Sequence, residues 1–280
     1  MNGYVAAVCQ MDTQNDKKEN LRIAGELIDE AAAGGAKLVV LPETVNFMGR
    51  GQKAQAEEIP GETSDFFGSK AKAYGIWMAA GSIPQICENG KPKNTMLLIG
   101  PDGEVKNTYS KLHMFDVKIE GGTSSCESEI NTPGDEIVLT QTPLGVIGMA
   151  ICYDIRFPEL FRLMALGGAQ IICVSASFTK KTVRDHWETL LRARAIENGV
   201  YILAANQFGK KPTMTAGGCS MIIDPWGRVS ARAGEETACI FSQVDPEYVS
   251  SVRRQIPSLN NRRTDVYALE GTVQCKCVRE

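Results

Sequence analysis

Three polar residues of this sequence each follow an apolar, strand-like run at its carboxyl end. Glu43 closes the run KLVVLPE, Lys111 closes VKNTYSK and Cys152 closes GVIGMAIC. The carboxyl ends of strands are where α/β folds commonly place ligand sites. This shared placement predicts that a carboxylate, an ammonium group and a thiol meet in one site.

Those three groups suit nucleophilic catalysis by a cysteine. A thiol with an ordinary pKa of about 8.5 is mostly protonated at neutral pH and needs a base, a cation or a helix N-terminus beside it. Glu43 can accept the proton, and Lys111 and the backbone N–H groups that follow Cys152 can stabilise negative charge. Taken singly, each residue also has a structural interpretation: a packed cysteine, a cap and a solvated lysine.

Composition argues against several other classes of protein. The 280-residue chain has a formal net charge of −3 and scattered basic pairs, which argues against a nucleic-acid partner. The N-terminus lacks a basic segment and reaches Asp12 early, and no apolar run approaches the roughly 18 residues that span a bilayer. We therefore expect a cytoplasmic protein with no membrane partner.

The cysteines and histidines indicate neither disulfides nor a metal site. Nine cysteines are an odd number, and most lie in apolar runs, as expected of reduced thiols. The two histidines, His113 and His186, and the single close pair Cys275-x-Cys277 lack zinc-site spacing. We expect no metal, and no role is predicted for the cysteine pair near the C-terminus.

Strand-like and helix-like segments alternate along the chain. The first half is predicted as β-α-β-α-β-β-β, and from Glu136 a second α/β half follows, with a helix over HWETLLRARAIEN. Continuous apolar strands favour sheets covered on both faces. The fold class predicted is α/β, a four-layer α-β-β-α sandwich with two mixed sheets packed face to face, in a single domain over residues 1–280.

Several ordered motifs then carry a resemblance through most of the chain. They are LPETVNFMG, GSIPQ, NTMLLIGPDG, YSKLHMFDV, CESE, ICYDIRFPEL, HWETLLRARAIENGVYILAANQFG, SMIIDPWG and IPSLNNRRTDVY. With them the chain resembles the nitrilase superfamily of carbon-nitrogen hydrolases, and within it the Nit-type amidases, which include omega-amidase and deaminated-glutathione amidase.

The resemblance implies a catalytic triad of Glu43, Lys111 and Cys152. Glu127 of CESE matches an additional glutamate that orients the lysine and the substrate, and the backbone N–H of Tyr153 shares the oxyanion hole with Lys111. The implied reaction passes through a cysteine thioester and needs no cofactor. It releases ammonia and a carboxylic acid.

The residues after the cysteine narrow the substrate class. CYDIRF looks like the Nit-type pattern, in which Arg156 would face a substrate carboxylate, while an ion pair with Asp154 or Glu159 is the structural alternative. Phe178 and Thr182 align with substrate-contacting positions.

The same region departs from the family pattern at two positions. Ser175 stands where proline is usual and Val183 where glycine is frequent, and we expect the valine to reshape the pocket wall.

The expected function is hydrolysis of a small carboxylate-bearing amide by a homodimer or a higher homo-oligomer. Hydrolysis of N-carbamoyl compounds or nitriles is the alternative within enzymes. A catalytically silent oligomeric scaffold is the alternative outside them.

Overall fold

The computed structural model describes residues 3–88, 90–118, 120, 124–212 and 214–278. Its first half has the predicted order of strands and helices. These elements are Tyr4–Gln10 (β1), Lys17–Ala33 (α1), Ala36–Val40 (β2), Glu62–Tyr74 (α2), Trp77–Gln85 (β3), Lys93–Ile99 (β4) and Val105–Ser110 (β5).

The second half contains more short elements than the sequence predicts. All elements of the second half, long and short, are Asp116–Lys118 (β6), Ser124–Cys126 (β7), Ile137–Thr142 (β8), Gly145–Ile151 (β9), Pro158–Leu166 (α3), Ile171–Ala176 (β10), Lys180–Thr182 (α4), Glu188–Asn198 (α5), Tyr201–Asn206 (β11), Phe208–Lys210 (β12), Thr215–Gly217 (β13), Met221–Ile223 (β14), Val229–Arg232 (β15), Ala238–Val244 (β16), Pro246–Gln255 (α6) and Val273–Cys277 (β17).

Two large sheets form the centre of the molecule. The first has the strand order β16-β1-β2-β3-β4-β5, in which β1, β2 and β3 are parallel neighbours and the other pairs are antiparallel. The second has the order β15-β14-β11-β10-β9-β8-β17, in which β9, β10 and β11 are parallel. Both sheets are mixed, as predicted.

The side chains of each strand alternate between two apolar layers, as the twofold period of a strand requires. Ala6 and Val8 of β1 pack against the second sheet, whereas Ala7 packs in the layer of α1 and α2. Met149 of β9 faces the first sheet, and Ala150 packs in the layer of α3 and α5. The predicted four-layer α-β-β-α sandwich is confirmed.

The helix predicted over HWETLLRARAIEN differs from the observed one in its start. Helical structure begins at Lys180, passes through a π-helical turn at Val183–Trp187 and continues as α5. A π turn marks a local change in side-chain phase, and such turns are frequent at functional sites. No helix of the described ranges is both long enough and apolar enough to cross a membrane.

Candidate active site

The structure brings Glu43, Lys111 and Cys152 together between the two sheets. Lys111 directly follows β5, Cys152 directly follows β9, and Glu43 lies three residues beyond β2. The ammonium Nζ of Lys111 lies 3.4 Å from Oε1 of Glu43, and the charges of both side chains act on the pKa of the Cys152 thiol. A carboxylate, an ammonium group and a thiol therefore share one site.

The loop that carries Glu43 is held by backbone contacts with β3. A Cβ atom on Gly81 would lie 2.1 Å from the carbonyl oxygen of Leu41 and 2.2 Å from that of Pro42, so the close approach requires glycine. Asn94 donates to Oε1 of Glu43 over 2.9 Å. The Gln207 amide donates to the Glu43 carbonyl oxygen, also over 2.9 Å. Both the backbone and the carboxylate of Glu43 are thus fixed.

Lys111 is buried between two carboxylates. Its Nζ donates to Oε2 of Glu127 over 2.6 Å, a closer contact than the one with Glu43. Burial lowers the pKa of Lys111, but the negative charges of Glu43 and Glu127 outweigh burial and hold that pKa well above its ordinary value. The ammonium group therefore remains charged throughout the neutral range.

Glu127 is held on both oxygens. Besides Lys111, its Oε2 accepts the backbone N–H of Phe115 over 2.7 Å, and its Oε1 accepts from Asn131 over 3.2 Å. A carboxylate with these partners is a stable acceptor for a charged donor. The geometry suits Glu127 to orient Lys111.

Cys152 has a backbone conformation that is rare for a residue with a side chain. Its φ angle is +50°, in the left-handed region, at the start of a tight helical turn over Cys152–Arg156. Burial raises the pKa of the thiol well above its ordinary value, and the Glu43 carboxylate raises it further, while Lys111 and the backbone N–H of Ser177 act in the opposite direction. The resting thiol is therefore protonated at neutral pH.

Asp154 anchors this turn, a role that the sequence analysis missed. The fully buried carboxylate accepts the Tyr109 hydroxyl over 2.7 Å, the Ile151 backbone N–H over 2.8 Å and the His113 backbone N–H over 3.1 Å. The ring Nδ1 of His113 also lies 2.7 Å from it. No sequence signal separated this buried acid from a surface charge near a helix start.

A cavity of about 320 Å³ opens beside the turn. Phe115 and Tyr153 form an apolar side, whereas Arg156, Lys181 and His186 contribute polar and basic groups. Asp185 also lines it, but its carboxylate is bound by the neighbouring Arg184 over 2.8 Å. The cavity therefore suits a small molecule with an apolar body and an anionic end.

The guanidinium of Arg156 faces this cavity rather than an acidic side chain. Its Cζ lies 5.8 Å from the ring centroid of Tyr153 and 5.5 Å from that of Phe178, and Nη2 lies 3.3 Å from Nδ1 of His186. Among the described residues, no ion pair joins Arg156 to Asp154 or Glu159. The structural alternative for Arg156 is not formed.

The other predicted substrate contacts divide into one lining residue and one supporting residue. Thr182 lines the cavity, although its hydroxyl is 2.9 Å from that of Thr179 and donates to the Thr179 carbonyl. Phe178 is buried beneath Arg156 and packs on Trp187 at a centroid distance of 4.8 Å. Phe178 supports the guanidinium.

The two departures from the family pattern lie away from the described lining of the cavity. Val183 faces Gly217 of β13, where an added Cβ would lie 2.6 Å from the valine Cγ2. Ser175 is fully buried in β10. The valine at position 183 thus packs against a neighbouring strand instead of forming the pocket wall.

Side chains of the types that bind metal ions form no metal-binding cluster among the described residues. Within the part of the chain that the structure describes, no group of three or more His, Cys, Asp or Glu residues is arranged to hold a metal ion. Cys275 and Cys277 are exposed on β17.

Known proteins resemble this chain over most of its length. The carbon-nitrogen hydrolase family matches residues 5–254. Omega-amidase NIT2 of Danio rerio is 39% identical over 274 residues, which cover 97% of this chain and 99% of that protein. Deaminated glutathione amidase of Synechocystis sp. is 40% identical over 269 residues, which cover 94% and 99%.

Solved structures have the same fold. The Caenorhabditis elegans NitFhit protein superposes with a TM-score of 0.90 at 37% identity, over 96% of this chain and 67% of that one. Saccharomyces cerevisiae Nit3, described as a member of the nitrilase superfamily, superposes with a TM-score of 0.83 at 31% identity, over 93% and 97%. The chain belongs to the carbon-nitrogen hydrolase family of the nitrilase superfamily.

Proposed function

We propose that this protein is an amidase that hydrolyses a small amide carrying a carboxylate. The observation that carries the proposal is the buried contact of Glu43, Lys111 and Cys152 beside a cavity that Arg156 faces. Relatives named omega-amidase and deaminated glutathione amidase support an amide substrate.

The first half of the reaction forms a thioester. Glu43 accepts the thiol proton as the sulfur of Cys152 bonds to the amide carbon, and the carbonyl electron pair moves to oxygen. The Lys111 ammonium and the N–H of Tyr153, at the start of the tight turn, stabilise that oxyanion. Glu43 then returns the proton to nitrogen, the C–N bond breaks and ammonia leaves.

The second half releases the acid. Glu43 takes a proton from water as the water oxygen bonds to the thioester carbon, and the C–S bond breaks when the second tetrahedral intermediate collapses. The sulfur regains the proton from Glu43. Glu127 keeps the Lys111 ammonium in place through both halves by its 2.6 Å contact.

Arg156 supplies the specificity in this proposal. A planar guanidinium offers paired donors to a carboxylate, and this one has no carboxylate partner among the described residues. Lys181 adds positive charge to the same cavity. The substrate is therefore bound at its acid end and cleaved at its amide end.

Ammonia release tests the reaction directly. The purified protein is expected to release ammonia from carboxylate-bearing amides, and Cys152→Ala is expected to lower the rate at least about 10³-fold because the nucleophile is lost. The measurement is a coupled ammonia assay over amides, N-carbamoyl compounds and nitriles.

Cys126→Ala is the matched control, because Cys126 is an exposed cysteine outside the triad. Carbon dioxide release together with ammonia would favour the N-carbamoyl alternative. A well-folded protein that is inactive on the whole panel would favour the scaffold.

Arg156→Lys tests carboxylate recognition. The variant keeps the charge but loses the paired donors, so kcat/KM for a carboxylate-bearing amide should fall about 10- to 100-fold. An uncharged amide of the same length should change little, and an equal fall on both substrates would contradict the assignment. Steady-state kinetics on the matched substrates decides it.

Glu43→Gln should shift two properties in opposite directions. Burial and then the Glu43 charge raise the pKa of Cys152, so removing the charge should lower that pKa, and the thiol should react with iodoacetamide at lower pH. Turnover should nevertheless fall about 10²- to 10⁴-fold because the base is lost. Mass spectrometry of the alkylated Cys152 peptide gives the midpoint.

Exposed Cys126, which lies outside the triad, is the internal reference for that alkylation. A Cys152 midpoint that is unchanged or higher in Glu43→Gln would show that the carboxylate does not act on the thiol.

We further propose that residues 1–280 form one domain and that two or more copies associate. Ile196 of α5 is exposed and packs closely on Gly227, where an added Cβ atom would lie 2.3 Å from Cγ1 of Ile196. Trp226, the neighbour of Gly227, is also exposed. Exposed Ile256 directly follows α6 and stands two residues before Ser258, whose hydroxyl donates to the Glu197 carbonyl oxygen. Apolar groups gathered around one helix favour an interface there.

A cytoplasmic location stays a prediction of the sequence.

Light scattering should give at least about twice the 30.4 kDa mass of one chain. A mass of one chain at micromolar concentration would contradict the dimer. Thermal unfolding should show a single transition, whereas two separated transitions would contradict the single domain.

A further inference from the structure

A buried hydroxyl joins the sheet that carries the nucleophile to the loop that carries the base. Ser175 of β10 is fully buried, and its Oγ donates to the carbonyl oxygen of Leu41 over 2.7 Å. Ser175 is paired in register with Ile151, the residue before Cys152. Leu41 directly follows β2 and stands two residues before Glu43.

The Leu41 carbonyl lies just beyond the end of the pairing between β2 and β3. The backbone N–H of Leu41 donates to the Ala79 carbonyl oxygen, and the last pair of β2 with β3 is Val40 with Ala79. A Cβ atom on Gly81 would lie 2.1 Å from the Leu41 oxygen. Within the described ranges, this oxygen accepts its hydrogen bond from the Ser175 hydroxyl. A buried carbonyl that loses its donor is costly, so the segment must move to recover one.

We propose that Ser175 is a positioning residue that holds the Glu43 carboxylate against the Cys152 thiol. The proposal rests on the proposed role of Glu43 as the base. Gln207, which directly follows β11, holds the same loop at the Glu43 carbonyl oxygen. Both anchors come from the second sheet. Hydrogen bonds between the sheets therefore contribute to setting the distance between base and nucleophile.

Ser175→Ala removes the hydroxyl and leaves the charges of the site unchanged. A displacement of the base by a fraction of an ångström is expected to lower kcat about tenfold or more, with little change in KM because the Arg156 cavity is not touched. If the Glu43 carboxylate moves away from Cys152, its negative charge also raises the pKa of the Cys152 thiol less. The pH midpoint for alkylation of Cys152 should therefore fall, in the same direction as in Glu43→Gln.

Thr140→Val is the matched control. Thr140 of β8 is fully buried, and its hydroxyl accepts from Asn107 of β5 over 3.0 Å, so it also joins the two sheets. This variant should lower the melting temperature, as Ser175→Ala should, but kcat and the alkylation midpoint should stay at wild-type values. Ser175→Thr, which keeps a hydroxyl on a side chain that suits strands, should restore most of kcat.

Ser175→Ala with wild-type kcat and an unchanged Cys152 midpoint, at whatever melting temperature, would overturn the proposal and leave the hydroxyl a purely structural group. The same holds if Thr140→Val moves the midpoint equally. Wild-type protein that releases no ammonia would count against the amidase function alone, because the alkylation midpoint still reports the position of Glu43.

Discussion

The site depends on the ion pairs that the buried ammonium group of Lys111 forms with two carboxylates. Moving an ion from water into a protein interior costs several kcal/mol, and the cost is offset only by well-placed opposite charges. Two carboxylates at 3.4 and 2.6 Å provide that compensation. Because Glu43 follows β2 and Glu127 follows β7, the cation is stable only when separate parts of the chain have reached their native places. The fold therefore places the two carboxylates, and their contacts with Lys111 in turn stabilise the fold.

The same charges decide the resting state of the nucleophile. Many reactive cysteines are stored as thiolates beside a cation, but here burial and the Glu43 carboxylate favour the neutral thiol. Proton transfer is thus coupled to attack on a bound substrate. A neutral thiol is also less readily oxidised than a stored thiolate would be. Catalytic competence and chemical protection arise from one arrangement.

Much of this organisation was predictable from the sequence. The layers, the first seven elements and the convergence of Glu43, Lys111 and Cys152 followed from apolar runs and the polar residues at their ends. The short strands β6, β7, β12, β13 and β17 have weak local patterns and form through tertiary pairing. The π turn and the hydrogen bond of Ser175 to Leu41 depend on contacts between distant segments, which periodicity does not encode.

The pairing of β1 with β16 constrains how the molecule is made. β1 lies between β2 and β16, and its register with β16 runs from Tyr4 opposite Val244 to Gln10 opposite Ala238. A ribosome that adds about 5–20 residues per second leaves that edge of β1 without its partner for about 10 to 50 s. During that interval an apolar strand edge is open to mispairing or to chaperones. The nucleophile therefore emerges during translation before the sheet behind the base is complete.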